Sequence, residues 1–275
     1  TAFYKDAMDN YWIGTSRSGL YLCTDLNKLA RRVSLDAENV YQQSISTIIE
    51  REDGIWVGTL GYLHHLEFDG QLIRSYDDKR DDGRYEMVYI LSLTSFGDQV
   101  LIGAGQGMYV LNPKTDEVES FEYHPSGGNA IPNFQFVTDM LNRKEGTYLS
   151  TFGGGLNLFN HDSKTFDFYS IPEGLSNNVL AGMVGFEDEI WVSHNSGISR
   201  FDIATQTFSN YGVSDGLPFP EFSLGASASA PNGDVYFGGT GGVIRISPND
   251  FGGESFDPLP IISDFNINYG QTKTC

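Results

Sequence analysis

Cysteine is nearly absent from this chain. Only Cys23 and Cys275 occur among 275 residues, too few for a disulfide framework or a cysteine-built metal cluster. Two such residues do not fix a redox compartment either. Long apolar runs are missing as well. No stretch approaches the ~20 residues of a membrane-spanning helix, and no signal peptide opens the chain. Thr1 is not an initiator methionine, which predicts a processed or excised piece, so a missing anchor says little about the parent protein. Basic residues are scarce: 17 Lys and Arg stand against 36 Asp and Glu, a net charge of −19. A field of that sign repels polyphosphates and, short of a local basic patch, excludes nucleic acid as a partner. Amphipathic runs of 3.6-residue period are lacking, which excludes helical solenoids.

What the chain does have is glycine, 32 residues, and 13% aromatics, a composition that suits many turns and short strands. One stretch organises it: Asp53-Gly54-Ile55-Trp56-Val57-Gly58-Thr59, a turn feeding a short run of strong strand formers. The pattern recurs around Trp12, Trp56, Leu101, Tyr148, Trp191 and Tyr236, with successive spacings of 44, 45, 47, 43 and 45 residues. Each repeat reads as four short strands. One precedes the aromatic strand, a Gly-rich turn and a third strand follow it, and an alternating fourth strand closes the unit. This is the blade of an all-β propeller. A β-helix has a shorter period, and a β-sandwich has no reason to repeat.

Blades pack face to face, so both faces of the second strand are covered and a bulky residue must fill the space between sheets. Trp12, Trp56, Leu101, Tyr148, Trp191 and Tyr236 are therefore expected to be core. The repeat assigns residues 1–250 to the propeller, with units near 1–43, 44–87, 88–133, 134–177, 178–221 and 222–250. About six four-stranded blades are expected, part of a seven-bladed ring that would be left open here. Residues 251–275, with Pro258-Leu259-Pro260, read as an exit strand or linker.

No catalytic constellation is found, and neither a metal nor a cofactor is expected. The five histidines form no helical ligand pair, and adjacent His64 and His65 on a strand point to opposite faces. Gly103-Ala104-Gly105-Gln106-Gly107 joins two strands and opens no helix, so it lacks what a phosphate loop uses. Candidate binding residues come from loops that depart from the repeat on the face joining strands 2 to 3 and strand 4 to the next blade. They are Lys79, Arg80, Arg84 and Tyr85 in the charged insertion, His124, Asn129 and Asn133 before the fourth blade, and His194 with Asn195 in the fifth. Arg and Lys there suit a carboxylate or sulfate, and Tyr85 suits stacking on a sugar. Pairing of those charges with Asp81, Asp82 and Glu86 is the plainer alternative. Three functional classes stand: a ligand-binding sensor module, a propeller enzyme of lyase or glycosidase type, and a protein-interaction scaffold.

The motif Asp53-Gly54-Ile55-Trp56-Val57-Gly58-Thr59, with Thr151-Phe152-Gly153-Gly154-Gly155-Leu156, Phe166-Asp167-Phe168-Tyr169, Gly174-Leu175-Ser176-Asn177-Asn178 and Asp215-Gly216-Leu217-Pro218, resembles the propeller repeats of two-component regulators. These lie in the periplasmic sensor regions of hybrid histidine kinases of gut Bacteroidetes. The resemblance covers nearly the whole chain. It implies a periplasmic ligand-sensing domain that responds to polysaccharide-derived oligosaccharides and is not itself an enzyme. It further implies a membrane-anchored parent carrying the kinase, receptor self-association, and a β-sandwich after Pro258-Leu259-Pro260-Ile261-Ile262-Ser263-Asp264-Phe265. Leu101 in place of Trp, and Tyr62-Leu63-His64-His65 in place of Gly-Leu, depart from the pattern.

Overall fold

The computed structural model describes residues 2–25, 27–35, 43–76, 89–122 and 136–248. Six antiparallel sheets follow one another along the chain, five with four strands and one with three. Blade 1 holds β1 (Ala2–Lys5), β2 (Tyr11–Gly14), β3 (Leu20–Cys23) and β4 (Arg31–Val33), and blade 2 holds β5 (Ile45–Arg51), β6 (Gly54–Thr59), β7 (Leu63–Leu66) and β8 (Leu72–Tyr76). Blade 3 is β9 (Ser92–Phe96), β10 (Gln99–Ala104), β11 (Gly107–Asn112) and β12 (Glu117–Glu122). Blade 4 is β13 (Val137–Arg143), β14 (Gly146–Thr151), β15 (Gly155–Asn160) and β16 (Thr165–Tyr169). Blade 5 is β17 (Leu180–Phe186), β18 (Glu189–His194), β19 (Gly197–Asp202) and β20 (Thr207–Tyr211), and blade 6 shows β21 (Phe222–Ser229), β22 (Val235–Gly239) and β23 (Gly242–Ile246). The sheets form a propeller. The only helical elements among the described residues are two three-residue 3₁₀ turns, Ile171–Glu173 and Val213–Asp215.

The repeated motif now has a physical reading at each position. Trp12 packs with Ile55 and Val57 of the next blade, Trp56 with Val100 and Ile102, Tyr148 with Ile190 and Val192, and Trp191 with Val235 and Phe237. A single bulky side chain thus sits between two residues of the neighbouring second strand. This explains why β6 and β14 are buried along their whole length. The acid before each Trp accepts its indole N–H: Asp6 for Trp12 at 2.8 Å, Asp53 for Trp56 at 3.0 Å and Glu189 for Trp191 at 3.0 Å. A buried donor is costly unless paired, so acid and indole belong together. The Thr that ends the motif closes the next turn, since Thr15, Thr59 and Thr151 Oγ1 donate to the carbonyls of Gly19, Tyr62 and Gly155 at 2.9 to 3.0 Å. Gly54 has φ +132°, and a Cβ there would collide with the Leu66 carbonyl oxygen. Only glycine suits that turn.

Five of the six expected core positions are at most 2% exposed, namely Trp12, Trp56, Leu101, Tyr148 and Trp191. Tyr236 differs and is half-buried. It occupies the same register position, paired with Ala228 and Arg245, but no further blade among the described residues covers it. The expected exit segment 251–275 lies outside the described residues.

Candidate functional site

The first strands of the blades line the axis, and four of them lose register at the same level, three by a single-residue bulge and β21 over Phe222 to Ser227. Register shifts leave Ser46 unpaired in β5, Thr138 in β13 and Ala181 in β17. A bulge re-aims a side chain and is common beside functional sites. The two hydroxyls turn toward the neighbouring blade, Ser46 Oγ to the Ile90 carbonyl and Thr138 Oγ1 to the Leu180 carbonyl, the latter at 3.1 Å. Above them opens a funnel of about 260 Å³, lined by Ser16, Ser44, Ser46, Leu60, Leu91, Thr138 and Leu224. These residues come from five blades, which places the funnel on the axis. Its described wall mixes hydroxyls with leucines and carries no charged side chain.

Beside the funnel runs a row of aromatic rings. Tyr89 and Phe136 precede the first strands of blades 3 and 4, and Phe152 begins the turn after β14. The ring centroids of Tyr89 and Phe136 are 6.4 Å apart, as are those of Phe136 and Phe152. Tyr89 is 46% and Phe152 40% exposed. Backbone hydrogen bonds hold the row: Tyr89 N–H donates to the Leu60 carbonyl at 3.2 Å, and Phe152 N–H to the Phe136 carbonyl at 3.0 Å. Tyr89 has φ +58°, a left-handed conformation that a non-glycine residue adopts at some cost and that concentrates at functional positions.

Below the funnel, on the axis, Asp139 ties three blades together. Its carboxylate accepts from Met140 N–H at 2.9 Å, from Met183 N–H of blade 5 at 3.1 Å and from Ser227 Oγ of blade 6 at 3.4 Å. Burial raises its pKa to about 6, against the lowering by these hydrogen bonds.

Seven of the nine residues expected to bind, Lys79, Arg80, Arg84, Tyr85, His124, Asn129 and Asn133, lie outside the described residues. His194 ends β18 on the funnel's face and Asn195 begins the turn after it; Asn195 is exposed but His194 has no surface at all. The imidazole is instead the centre of a network. Ser196 N–H donates to Nδ1 at 3.1 Å, so the ring proton belongs on Nε2, which meets Ser176 Oγ and Ser199 Oγ, each at 2.9 Å. Ser199 Oγ donates to Asn210 Oδ1 at 2.5 Å, and Asn210 Nδ2 donates to the Gly174 carbonyl at 2.8 Å. An imidazole with its proton facing two hydroxyls cannot act as their base. Burial also lowers its pKa to about 4. His194 therefore fastens the Gly174-Leu175-Ser176 loop, in the place where Thr closes the turn in blades 1, 2 and 4.

A larger cavity, about 870 Å³, lies on the opposite face among Tyr4, Glu50, Arg51, Asp53, Phe68, Asp98 and Lys114. Most of its charges are engaged within the wall, the exposed Glu52 excepted. Glu50 accepts from Ala7 N–H at 2.9 Å, Arg51 reaches Asp53 and the carbonyls of Asp98 and Gln99 at 2.9 to 3.1 Å, and Lys114 pairs with Asp98 at 2.7 Å. Size alone does not make it the better site. Among the described residues no three His, Cys, Asp or Glu side chains come together as a metal site.

No family model matches the chain. A curated relative, "Histidine kinase P4" of Formosa agariphila, is 22% identical over 94% of this chain, which spans only 20% of that protein. A solved structure named as the extracellular domain of the hybrid two component system BT3049 of B. thetaiotaomicron superposes with a TM-score of 0.77. It is 20% identical over 90% of this chain and 33% of its own. The WD40 domain of Neurospora crassa Pan2 superposes at 0.54 with 14% identity, over 88% of this chain and 75% of its own. These likenesses establish the propeller fold. The first two concern the same class of protein that the repeat motif resembles.

Proposed function

We propose that this propeller is the extracytoplasmic, periplasmic ligand-sensing domain of a hybrid two-component receptor, with the histidine kinase outside these residues and an oligosaccharide derived from a polysaccharide as its signal. The observation that carries the reading is the aromatic row of Tyr89, Phe136 and Phe152 beside a hydroxyl-lined axial funnel. A pyranose has an apolar C–H face and a hydroxyl rim, so it matches rings on one side and hydroxyls or carbonyls on the other. A rigid scaffold with the site on its loops also fits a domain that reports occupancy rather than turns substrate over. Among the described residues no nucleophile–base pair or free acid–base pair reaches the funnel, since His194 is closed off and Asp139 is held by three donors.

The test is calorimetric titration with a panel of neutral and uronate-containing oligosaccharides, on the wild-type protein and on Phe136→Ala. Binding of at least one glycan that weakens about tenfold in the variant, with the glycan recovered intact, supports the reading. Catalytic turnover of a panel member would replace it with the enzyme reading. Binding unaffected by Phe136→Ala would remove the aromatic row from the site.

A further inference from the structure

Opposite the position that Gly58 holds in the Trp motif, the first strand carries Ala2 in blade 1, Thr47 in blade 2, Ser92 in blade 3 and Gly182 in blade 5. Blade 4 alone of these five puts a charge there, Asp139, paired with Ser150. A carboxylate among small neutral residues costs desolvation, and filling the space gives no reason for it. Its surroundings do. Asp139 directly follows Thr138 of the funnel wall. Its partners in other blades, Met183 N–H at 3.1 Å and Ser227 Oγ at 3.4 Å, belong to β17 and β21. Strand β21 also lends Leu224 and Gly225 to the wall. The strands touch here, since a Cβ on Gly182 would stand 3.0 Å from the Ser227 side chain. Three first strands thus meet on one carboxylate just below the funnel.

Ser227 has one hydroxyl proton and two acceptors within reach, the Asp139 carboxylate and the Met183 carbonyl at 3.3 Å. An ionised carboxylate is the stronger acceptor and holds both Met183 N–H and Ser227. A neutral carboxyl donates its own proton to Ser227 Oγ, turns that hydroxyl to the Met183 carbonyl and leaves Met183 N–H on an uncharged acceptor. The junction therefore has two arrangements, and one proton chooses between them. Asp139 retains some surface, which gives the proton a path. We propose that Asp139 is a positioning residue of the funnel: ionised, it fixes the wall segments of blades 4, 5 and 6, and protonated, it loosens them, so glycan affinity falls as the solution is acidified. The hold on the wall stands by itself, whereas its coupling to a glycan rests on the sensing function proposed above. Among the described residues no other group competes near pH 6. Strands β9, β10, β17 and β21, all packed on β13, carry no titratable side chain. Strand β14 carries only Tyr148, which burial raises and keeps neutral. His194, paired with Leu180 of β17, is held at about 4, and Arg143 lies at the far end of β13.

Calorimetry and amide hydrogen exchange at pH 7 and pH 5, on the wild-type protein, Asp139→Asn and Ser227→Ala, test it. The panel glycan that binds the wild type most tightly is expected to lose about tenfold in affinity between the two pH values. The change should centre near 6, with protons released on binding at that pH. Asp139→Asn is expected to show the low-pH affinity at both values. Ser227→Ala removes a donor to the ionised form and is expected to move the midpoint upward. Without any glycan, amide exchange of residues 138–140, 181–183 and 224–227, corrected for its intrinsic pH dependence, is expected to quicken about fivefold at pH 5 in the wild type. Asp139→Asn should exchange at the faster rate at both pH values. Equal affinity at the two pH values in the wild type, or a pH dependence that survives Asp139→Asn, overturns the coupling. Exchange that does not respond to pH overturns the hold on the wall. A panel without any binder, joined to pH-dependent exchange, overturns the glycan function and supports the place of Asp139 in the wall.

Discussion

The two faces of the disc are built from different materials. On the face of the turns between first and second strands, Glu50, Arg51, Asp53, Asp98 and Lys114 bond to one another, to backbone or to an indole. Those charges hold blades together and leave little to offer a ligand. On the other face, hydroxyls and leucines line an axial funnel with no charged side chain in its described wall, and a row of three aromatic rings lies beside it. One face thus carries charges tied into the frame, while the other carries hydroxyls and partly exposed rings around an uncharged funnel. A large cavity is a poor guide where most of its charged groups are already paired.

The sharpest way to test the division is to attack the frame itself. Trp56→Ala removes a fully buried indole and should cost about 3–5 kcal/mol of stability, measured by urea unfolding. A wild-type midpoint would show that the indole is not the wedge described here.

Lowering the pH probes a structural part of the funnel's face. His64 and His194 are held at about 4 by burial, below their ordinary 6.5. The unfolded chain therefore takes up protons that the folded chain refuses, and stability present above about 6.5 is lost as pH falls toward 4. At pH 5 that loss is about 2 kcal/mol for each histidine. Asp139, raised to about 6, works the other way. Its folded form binds the proton first and contributes about 1 kcal/mol between pH 7 and 5. The histidines outweigh it, so the urea midpoint should fall from pH 7 to pH 5. His194→Gln should flatten the dependence, and an unchanged slope in that variant would show His194 to be protonated freely.

Asp53→Ala leaves the Trp56 indole N–H without its acceptor and Arg51 without its carboxylate. A loss of about 1–3 kcal/mol is expected, with ligand affinity unchanged. Loss of binding at wild-type stability would place a site on the charged face after all.

Much of this was legible beforehand because the repeat converts a packing rule into a spacing. Trp12, Trp56, Leu101, Tyr148 and Trp191 could be read as core from their period, since each must fill the same gap between sheets. Tyr236 could not be told apart from them, because its exposure depends on what lies beyond the sixth sheet and not on its own strand. His194 looked like a loop residue at the end of the Ile190-Trp191-Val192-Ser193 strand. Its hydrogen-bond partners Ser176 and Ser199, themselves tied to Asn210, come together only in three dimensions. The aromatic row was hidden for a related reason. Tyr89, Phe136 and Phe152 are far apart in sequence, and each resembles the core aromatics that outnumber them. A cue was present in the Thr151-Phe152-Gly153 turn, where a large ring follows the closing Thr in a turn that has no need of one.

The central claim, that one face holds the fold and the other meets the ligand, is tested most directly by one paired measurement. Phe136→Ala and Asp53→Ala are each assayed for Tm and for affinity toward the best-binding glycan of the panel. The account predicts about a tenfold loss of affinity with nearly unchanged Tm for Phe136→Ala, and a lowered Tm with unchanged affinity for Asp53→Ala. The reverse assignment of the two effects would contradict it.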